Sequence, residues 1–189
     1  LLIGDPSGDL HTMAFDGAGF GAPRLVGGPT VDGRDWSRAR AFAAAGRWFE
    51  MAADGRLLVR TRTGDGFGQP EVTPSGAGVI APTGPIAYVA RRILLPAGKA
   101  LTYRGFSPDS GIIGARAATA PASAGTAWSG IVSMAVAGDH LWLVRTDRNL
   151  WRMDLDSEGF PVAGTEVAVS GPAAGDGRTW AGPIAFWAP

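Results

Sequence analysis

The pentapeptide Asp32-Gly33-Arg34-Asp35-Trp36 recurs, with one change, as Asp176-Gly177-Arg178-Thr179-Trp180. A carboxylate, a guanidinium and an indole within five residues can do a particular chemistry. The indole offers a flat apolar face to the C–H side of a sugar ring, and the planar charged groups accept from and donate to its hydroxyls. The same residues have a second use. Asp-Gly is turn chemistry, Asp and Arg can pair across that turn for less than about 1 kcal/mol, and the Trp can pack. The corresponding stretch at 124–128 keeps only Trp128, and the one at 78–82 lacks all three residue types. Asp32, Arg34, Trp36, Trp128, Asp176, Arg178 and Trp180 are therefore the candidate ligand-binding residues. The graded copies fit a diverged binding repeat, and the ligand and packing uses both stay open.

Other chemistries find less support. The acidic residues number 17, and many sit in turns, as Asp16, Asp54, Asp65 and Asp109 do; Asp favours turns for its local hydrogen bonding, so a hydrolytic carboxylate pair is not indicated. Only His11 and His140 are present, far apart, and there is no cysteine, which removes thiolate nucleophiles, disulfides and the usual zinc sets. Ser129 and Ser133 lack a nucleophile-elbow context. The glycine-rich stretches 17–21 and 64–68 resemble phosphate loops, but no helical pattern follows either. The expectation is no catalytic residue, no metal ligand set and no cofactor: the chain is not an enzyme.

Positioning those residues requires a scaffold, and composition narrows it. The chain has 189 residues, 46% of them hydrophobic, with 29 Gly and 14 Pro. That is enough length for one core or one repeat array, and more helix-breaking residues than a helical protein tolerates. Net charge is zero, so no footprint for nucleic acid is present. No apolar run reaches the ~18 residues of a membrane span, and no membrane insertion is expected. Lys99 is the single lysine among 17 basic residues, a compositional pointer to a bacterial source. The chain starts at Leu1 and carries no signal peptide, the form expected of a processed or excised piece of a longer product.

Internal repetition organises the rest. Glycine followed by a large apolar residue recurs at Phe20, Phe67, Ile112 and Phe160, 47, 45 and 48 residues apart. Leucine after a turn recurs at Leu10, Leu57, Leu101 and Leu150, and each is preceded eight residues earlier by Leu2, Phe49, Ile93 and Trp142. Trp36, Trp128 and Trp180 make a third series, with Pro82 in the remaining place. Each period of about 46 residues divides into four short strands. In one unit these are residues 40–45, 47–53, 56–63 and 69–75, with an Asp-Gly turn and alternating polarity as hairpin signals. Four-stranded units at this period are the signature of β-propeller blades. The chain opens on a second strand and closes on an orphan first strand (178–189), so the two ends together complete one blade. The expected fold is all-β: a single β-propeller of four blades of four antiparallel strands, its ring closed by strands from both termini. The repeats run 1–35 plus 178–189, 36–81, 82–127 and 128–177. The alternative is part of a larger propeller, or assembly with other copies. Trp48, Trp142 and Trp151 are expected to pack between blades, and Trp187 to take part in closure.

The stretch WSGIVSMAVAGDHLWLVRTDRNLW at 128–151 resembles the repeat of tectonin and tachylectin-type β-propeller lectins, and the second unit carries the same features at Trp48, Asp54-Gly55 and Leu57. The resemblance implies a secreted, extracellular protein that binds glycans. A second expectation is a protein-interaction or targeting module whose partners are other chains of a larger secreted toxin or hydrolase assembly. The third is a small enzyme with its active site in the central channel.

Overall fold

The computed structural model describes all residues except 17–18, 38, 64–65, 76–79, 81–83, 122–127 and 187–189. Four four-stranded antiparallel sheets are arranged as a four-bladed β-propeller, without a helix among the described residues. Blade 1 is ordered β18 (Ile184–Ala185), β1 (Leu2–Gly4), β2 (Leu10–Thr12) and β3 (Arg24–Gly27) from the axis outward. Blade 2 comprises β4 (Ala41–Ala44), β5 (Arg47–Met51), β6 (Leu57–Arg60) and β9 (Glu71–Val72). Blade 3 comprises β10 (Ala87–Val89), β11 (Arg92–Ala97), β12 (Ala100–Ser107) and β13 (Ile112–Thr119). Blade 4 comprises β14 (Ile131–Ala137), β15 (His140–Arg145), β16 (Leu150–Asp154) and β17 (Val167–Ser170).

The ends of the chain meet as expected. Leu2 pairs with Ala185 and Ile3 with Ile184, so the last strand is the innermost strand of the first blade. The innermost strands β4, β10, β14 and β18 neighbour one another around the axis. Closure depends on glycine where the two ends cross. A Cβ at position 182 would run into the Gly4 carbonyl, and one at position 4 would lie 2.6 Å from the Trp36 carbonyl oxygen.

The core consists of four wedges, one between each pair of neighbouring blades. Leu2, Leu10, Trp36 and Trp48 fill the wedge between blades 1 and 2. Phe42, Phe49, Ile93 and Phe106 fill the next, and Leu94, Trp128, Leu141 and Met153 the third. Trp142, Trp180, Met13 and Ile184 occupy the wedge between blades 4 and 1. Each large aromatic buried there removes roughly 150–250 Å² from water, a gross stabilisation of about 4–6 kcal/mol at ~25 cal/mol per Å².

One stretch differs from its sequence expectation. Residues 56–63 were expected as a single strand, but β6 stops at Arg60, and β7 (Arg62–Thr63) and β8 (Gly66–Phe67) form a separate small hairpin. The detour returns Phe67 to the wedge, with its ring 5.4 Å from Trp36 and 5.1 Å from Trp48. The strand expected at 69–75 is confined to Glu71–Val72. Blade 1 makes the equivalent detour with an isolated Phe15–Phe20 bridge, which brings Phe20 to 5.2 Å from Trp180. The described parts of the two glycine-rich stretches, 19–21 and 66–68, thus deliver an aromatic ring to a wedge, and 17–18 and 64–65 fall outside the described residues. Pro82 and Trp187 fall outside the described residues.

Removing residues 184–189 should strip β1 of its inner partner and take Ile184 out of its wedge. Losing a buried Ile alone costs about 2–5 kcal/mol, so the truncated chain should melt roughly 5–15 °C lower, measured by circular dichroism.

Candidate functional site

The two Asp-Gly-Arg loops carry the same hydrogen bonds. Asp32 Oδ1 accepts the backbone N–H groups of Gly28 (2.9 Å) and Arg34 (3.2 Å). Asp176 Oδ1 accepts those of Gly171 (2.8 Å) and Arg178 (3.1 Å). Each carboxylate folds the end of an outermost strand back over its own blade, and Gly33 and Gly177 take the left-handed turn (φ 72° and 74°) that this requires. The Trp that follows is then fixed through its backbone. Trp36 N–H donates to the Gly8 carbonyl (2.9 Å) and Trp180 N–H to the Arg148 carbonyl (3.0 Å).

From there each indole enters a wedge. Trp36 and Trp180 are 2% exposed and Trp128 is 1% exposed, so none presents an open face to a sugar ring. The stacking role expected of these three residues is therefore corrected: the space between blades widens outward, and the indoles fill it. Trp48 and Trp142 are buried as expected, and Trp151 is half-buried.

The arginines act across the same junctions. Arg178 Nη2 donates to the Phe20 carbonyl (2.8 Å), tying the loop leaving blade 4 to the aromatic hairpin of blade 1. Arg34 Nη2 makes the corresponding, longer contact with the Gly68 carbonyl (3.5 Å), and its guanidinium lies 5.6 Å from the Trp36 ring. Asp32 and Arg34 approach only to 4.0 Å. The remaining junctions use arginines at the start of second strands. Arg47 donates to the Asp109 carbonyl (3.1 Å) and Arg92 to that of Glu158 (2.6 Å). Among the described residues, the Asp-Gly-Arg loops thus supply two of the arginine-to-carbonyl ties that cross between blades.

A concave site does exist beside one of these loops. A cavity of about 390 Å³ between blades 4 and 1 is lined by Ile3, Asp5, His11, Met13, Pro23 and, from the 176–180 loop, Arg178, Thr179 and Trp180. Its walls are mainly apolar, with Asp5, His11 and Arg178 as the charged or titratable groups. Asp5 Oδ2 lies 3.2 Å from His11 Nε2. Asp5 Oδ1 accepts from the Ser7 hydroxyl (2.5 Å) and from the N–H groups of Ser7 (2.9 Å) and Asp9 (3.0 Å). Desolvation opposes ionisation of Asp5, but the hydrogen bonds from Ser7, Asp9 and His11 outweigh it and hold the carboxyl below its usual range. Asp5, Asp9 and His11 also place three potential metal-ligand atoms within 4.8 Å of one another, a grouping the sequence did not suggest. Those carboxylates are already engaged in the turn.

Comparison between blades shows why this junction is open. Aligned on Leu10, Leu57 and Leu150 through the strand registers, Ile3 and His11 correspond to Glu50 and Leu58 in blade 2 and to Leu143 and Trp151 in blade 4. Met13 corresponds to Arg60 and Met153. In blade 2 the space is occupied by the Arg60–Glu50 ion pair (2.7 Å), with Arg60 buried beneath the first loop. In blade 4 it is occupied by Trp151, which has Arg145 at 4.9 Å over its ring and donates to Asp147 (3.2 Å). Blade 1 has smaller side chains there, and the face stays open.

The axis offers different linings. One mouth of the channel, about 490 Å³, is walled mainly by small and apolar residues such as Ala43, Ala90, Val136 and Phe186, with Tyr88 among them. The other, about 140 Å³, includes Ser37, Arg40 and Ser133.

No family model matches the chain, and no curated protein matches it. Among solved structures, a luciferin-regenerating enzyme is similar over 90% of this chain and 62% of its own, with a TM-score of 0.43 and 11% identity. PorZ, an essential surface component of the type-IX secretion system of Porphyromonas gingivalis, is similar over 85% of this chain and 20% of its own, with a TM-score of 0.39 and 13% identity. The chain spans less than two thirds of either. At these scores neither likeness bears on activity.

Two variants test the packing role of the second loop. Trp180→Ala should cost about 3–5 kcal/mol and lower the melting temperature by roughly 10 °C or more; a loss of a degree or two would make the indole dispensable to the fold. The Asp176 carboxyl is held low: burial works against its ionisation, but the bonds from Ser170, Gly171 and Arg178 prevail. Its stabilising effect is complete above the ordinary carboxylate range and disappears as the pH falls through the lowered value. Thermal melts from neutral pH to below about pH 4 should therefore show Asp176→Asn less stable than wild type at neutral pH, with the gap closing on acidification.

Proposed function

We propose that the chain is an extracellular carbohydrate-binding propeller that takes one sugar residue in the cavity between blades 4 and 1. The observation that supports this is the opening of that inter-blade face, whose counterparts on blades 2 and 4 are filled by Arg60–Glu50 and Trp151. A volume of about 390 Å³ is at the lower end of ligand sites and suits a single ring. Ile3, Met13, Pro23 and the edge of Trp180 provide an apolar surface, while the Asp5 carboxylate and Arg178 guanidinium supply an acceptor and donors for hydroxyls. Of the residues marked by sequence, Arg178 and Trp180 line this cavity; Arg34, Trp36 and Trp128 act between blades, and Asp32 and Asp176 order their own loops. One site per ring binds weakly by itself, so avidity would come from several copies.

A second function is favoured by the outer strands. Leu25, Val72, Ile112 and Val167, one on each outermost strand, are 44–55% exposed. These edges have unpaired backbone groups to which a partner chain of a larger secreted assembly could add a strand.

The two functions separate experimentally. His11→Trp copies the filled arrangement of blade 4. It should weaken glycan binding at least about tenfold, by glycan array and saturation-transfer NMR, while the melting temperature stays level or rises. Wild-type binding that His11→Trp leaves intact would move the site elsewhere. No binding to any glycan, together with a protein partner recovered by pull-down and lost when Val72 and Ile112 are made Lys, would favour the second function.

A further inference from the structure

The two Asp-Gly-Arg loops differ at one buried position. In the loop after blade 4, the Ser170 hydroxyl lies between the carboxylate and the indole: it accepts from Trp180 Nε1 (2.8 Å) and donates to Asp176 Oδ2 (2.5 Å). In blade 1 the same register position, opposite Leu10 as Ser170 is opposite Leu150, is Gly27. A Cβ built there would lie 3.0 Å from Trp36 Nε1 and 3.2 Å from Asp32 Oδ2, so the corresponding donor and acceptor flank the position. Trp36 is 2% exposed, and its Nε1 is a buried donor with no protein partner. A buried N–H left unsatisfied costs about 1–3 kcal/mol. The Asp32 carboxylate beside it is an acceptor that keeps its backbone bonds on the other oxygen.

We infer that the junction between blades 1 and 2 binds one water molecule, which takes the role of the Ser170 hydroxyl: it accepts from Trp36 Nε1 and donates to Asp32 Oδ2. The site supplies a donor and an anionic acceptor, the polar partners that distinguish a hydrated cavity from a dry apolar one. The Asp-Gly-Arg-Asp-Trp motif is then a ligand site of a different kind, with water as its ligand. The second copy of the motif carries the same oxygen covalently on Ser170. Gly27 is a strand residue without left-handed φ, so Ala or Ser can be accommodated by the backbone, with the indole shifting a few tenths of an ångström.

Crystal structures of three proteins test this. Wild type should show a solvent oxygen within about 3.2 Å of both Trp36 Nε1 and Asp32 Oδ2. In Gly27→Ser the new Oγ should occupy that place; in Gly27→Ala the methyl should exclude the water and leave the indole N–H unpaired. The Ser variant should melt about 2–4 °C above the Ala variant. A wild-type structure in which Trp36 bonds Asp32 directly, with no solvent oxygen between them, would overturn the inference. So would a Gly27→Ala protein that melts at or above Gly27→Ser.

Discussion

The wedge between neighbouring blades is the constraint on which the other features depend. Twisted sheets set around an axis diverge outward, and the space between them must be filled at the density of a protein interior. Trp36, Trp128 and Trp180 fill it from the linkers between blades, and Phe20 and Phe67 fill it from hairpin detours beyond the third strands. A linker Trp is useful only if it enters at a fixed angle. The Asp-Gly-Arg loop sets that angle: the carboxylate gathers two N–H groups and the backbone of the Trp docks on the preceding turn.

The same constraint accounts for the arginines. Each junction has a guanidinium reaching a carbonyl of the next blade, from Arg34, Arg47, Arg92 or Arg178. Charge-assisted bonds to neutral carbonyls tie the blades without burying an opposite charge, which fits a chain whose net charge is zero. The ring is closed by β18 on β1, where Gly4 and Gly182 permit the two ends to cross.

The wedges are not all filled in the same way. Repeats that share a backbone need not share side chains, and three of the four junctions differ at matching positions: an ion pair, a tryptophan, and an open cavity with Asp5, His11 and Arg178 around it. The cavity between blades 4 and 1 is a local exception to a packing rule.

The sequence by itself determined the architecture. Side-chain periodicity, turn chemistry and a repeat near 46 residues are local properties, and strand order and ring closure follow once the units are counted. It also marked Asp32, Arg34, Trp36, Asp176, Arg178 and Trp180 as equivalent. Only the tertiary structure decided what they do. Whether an indole faces solvent or a neighbouring blade depends on a sheet that lies a whole repeat away, and nothing in five adjacent letters encodes that distance. The cavity was less legible still. Ile3, Asp5, His11 and Met13 are ordinary strand and turn residues, conspicuous only beside the bulkier Arg60 and Trp151 at matching register positions. That comparison becomes possible once the strand pairings fix which residues share a face.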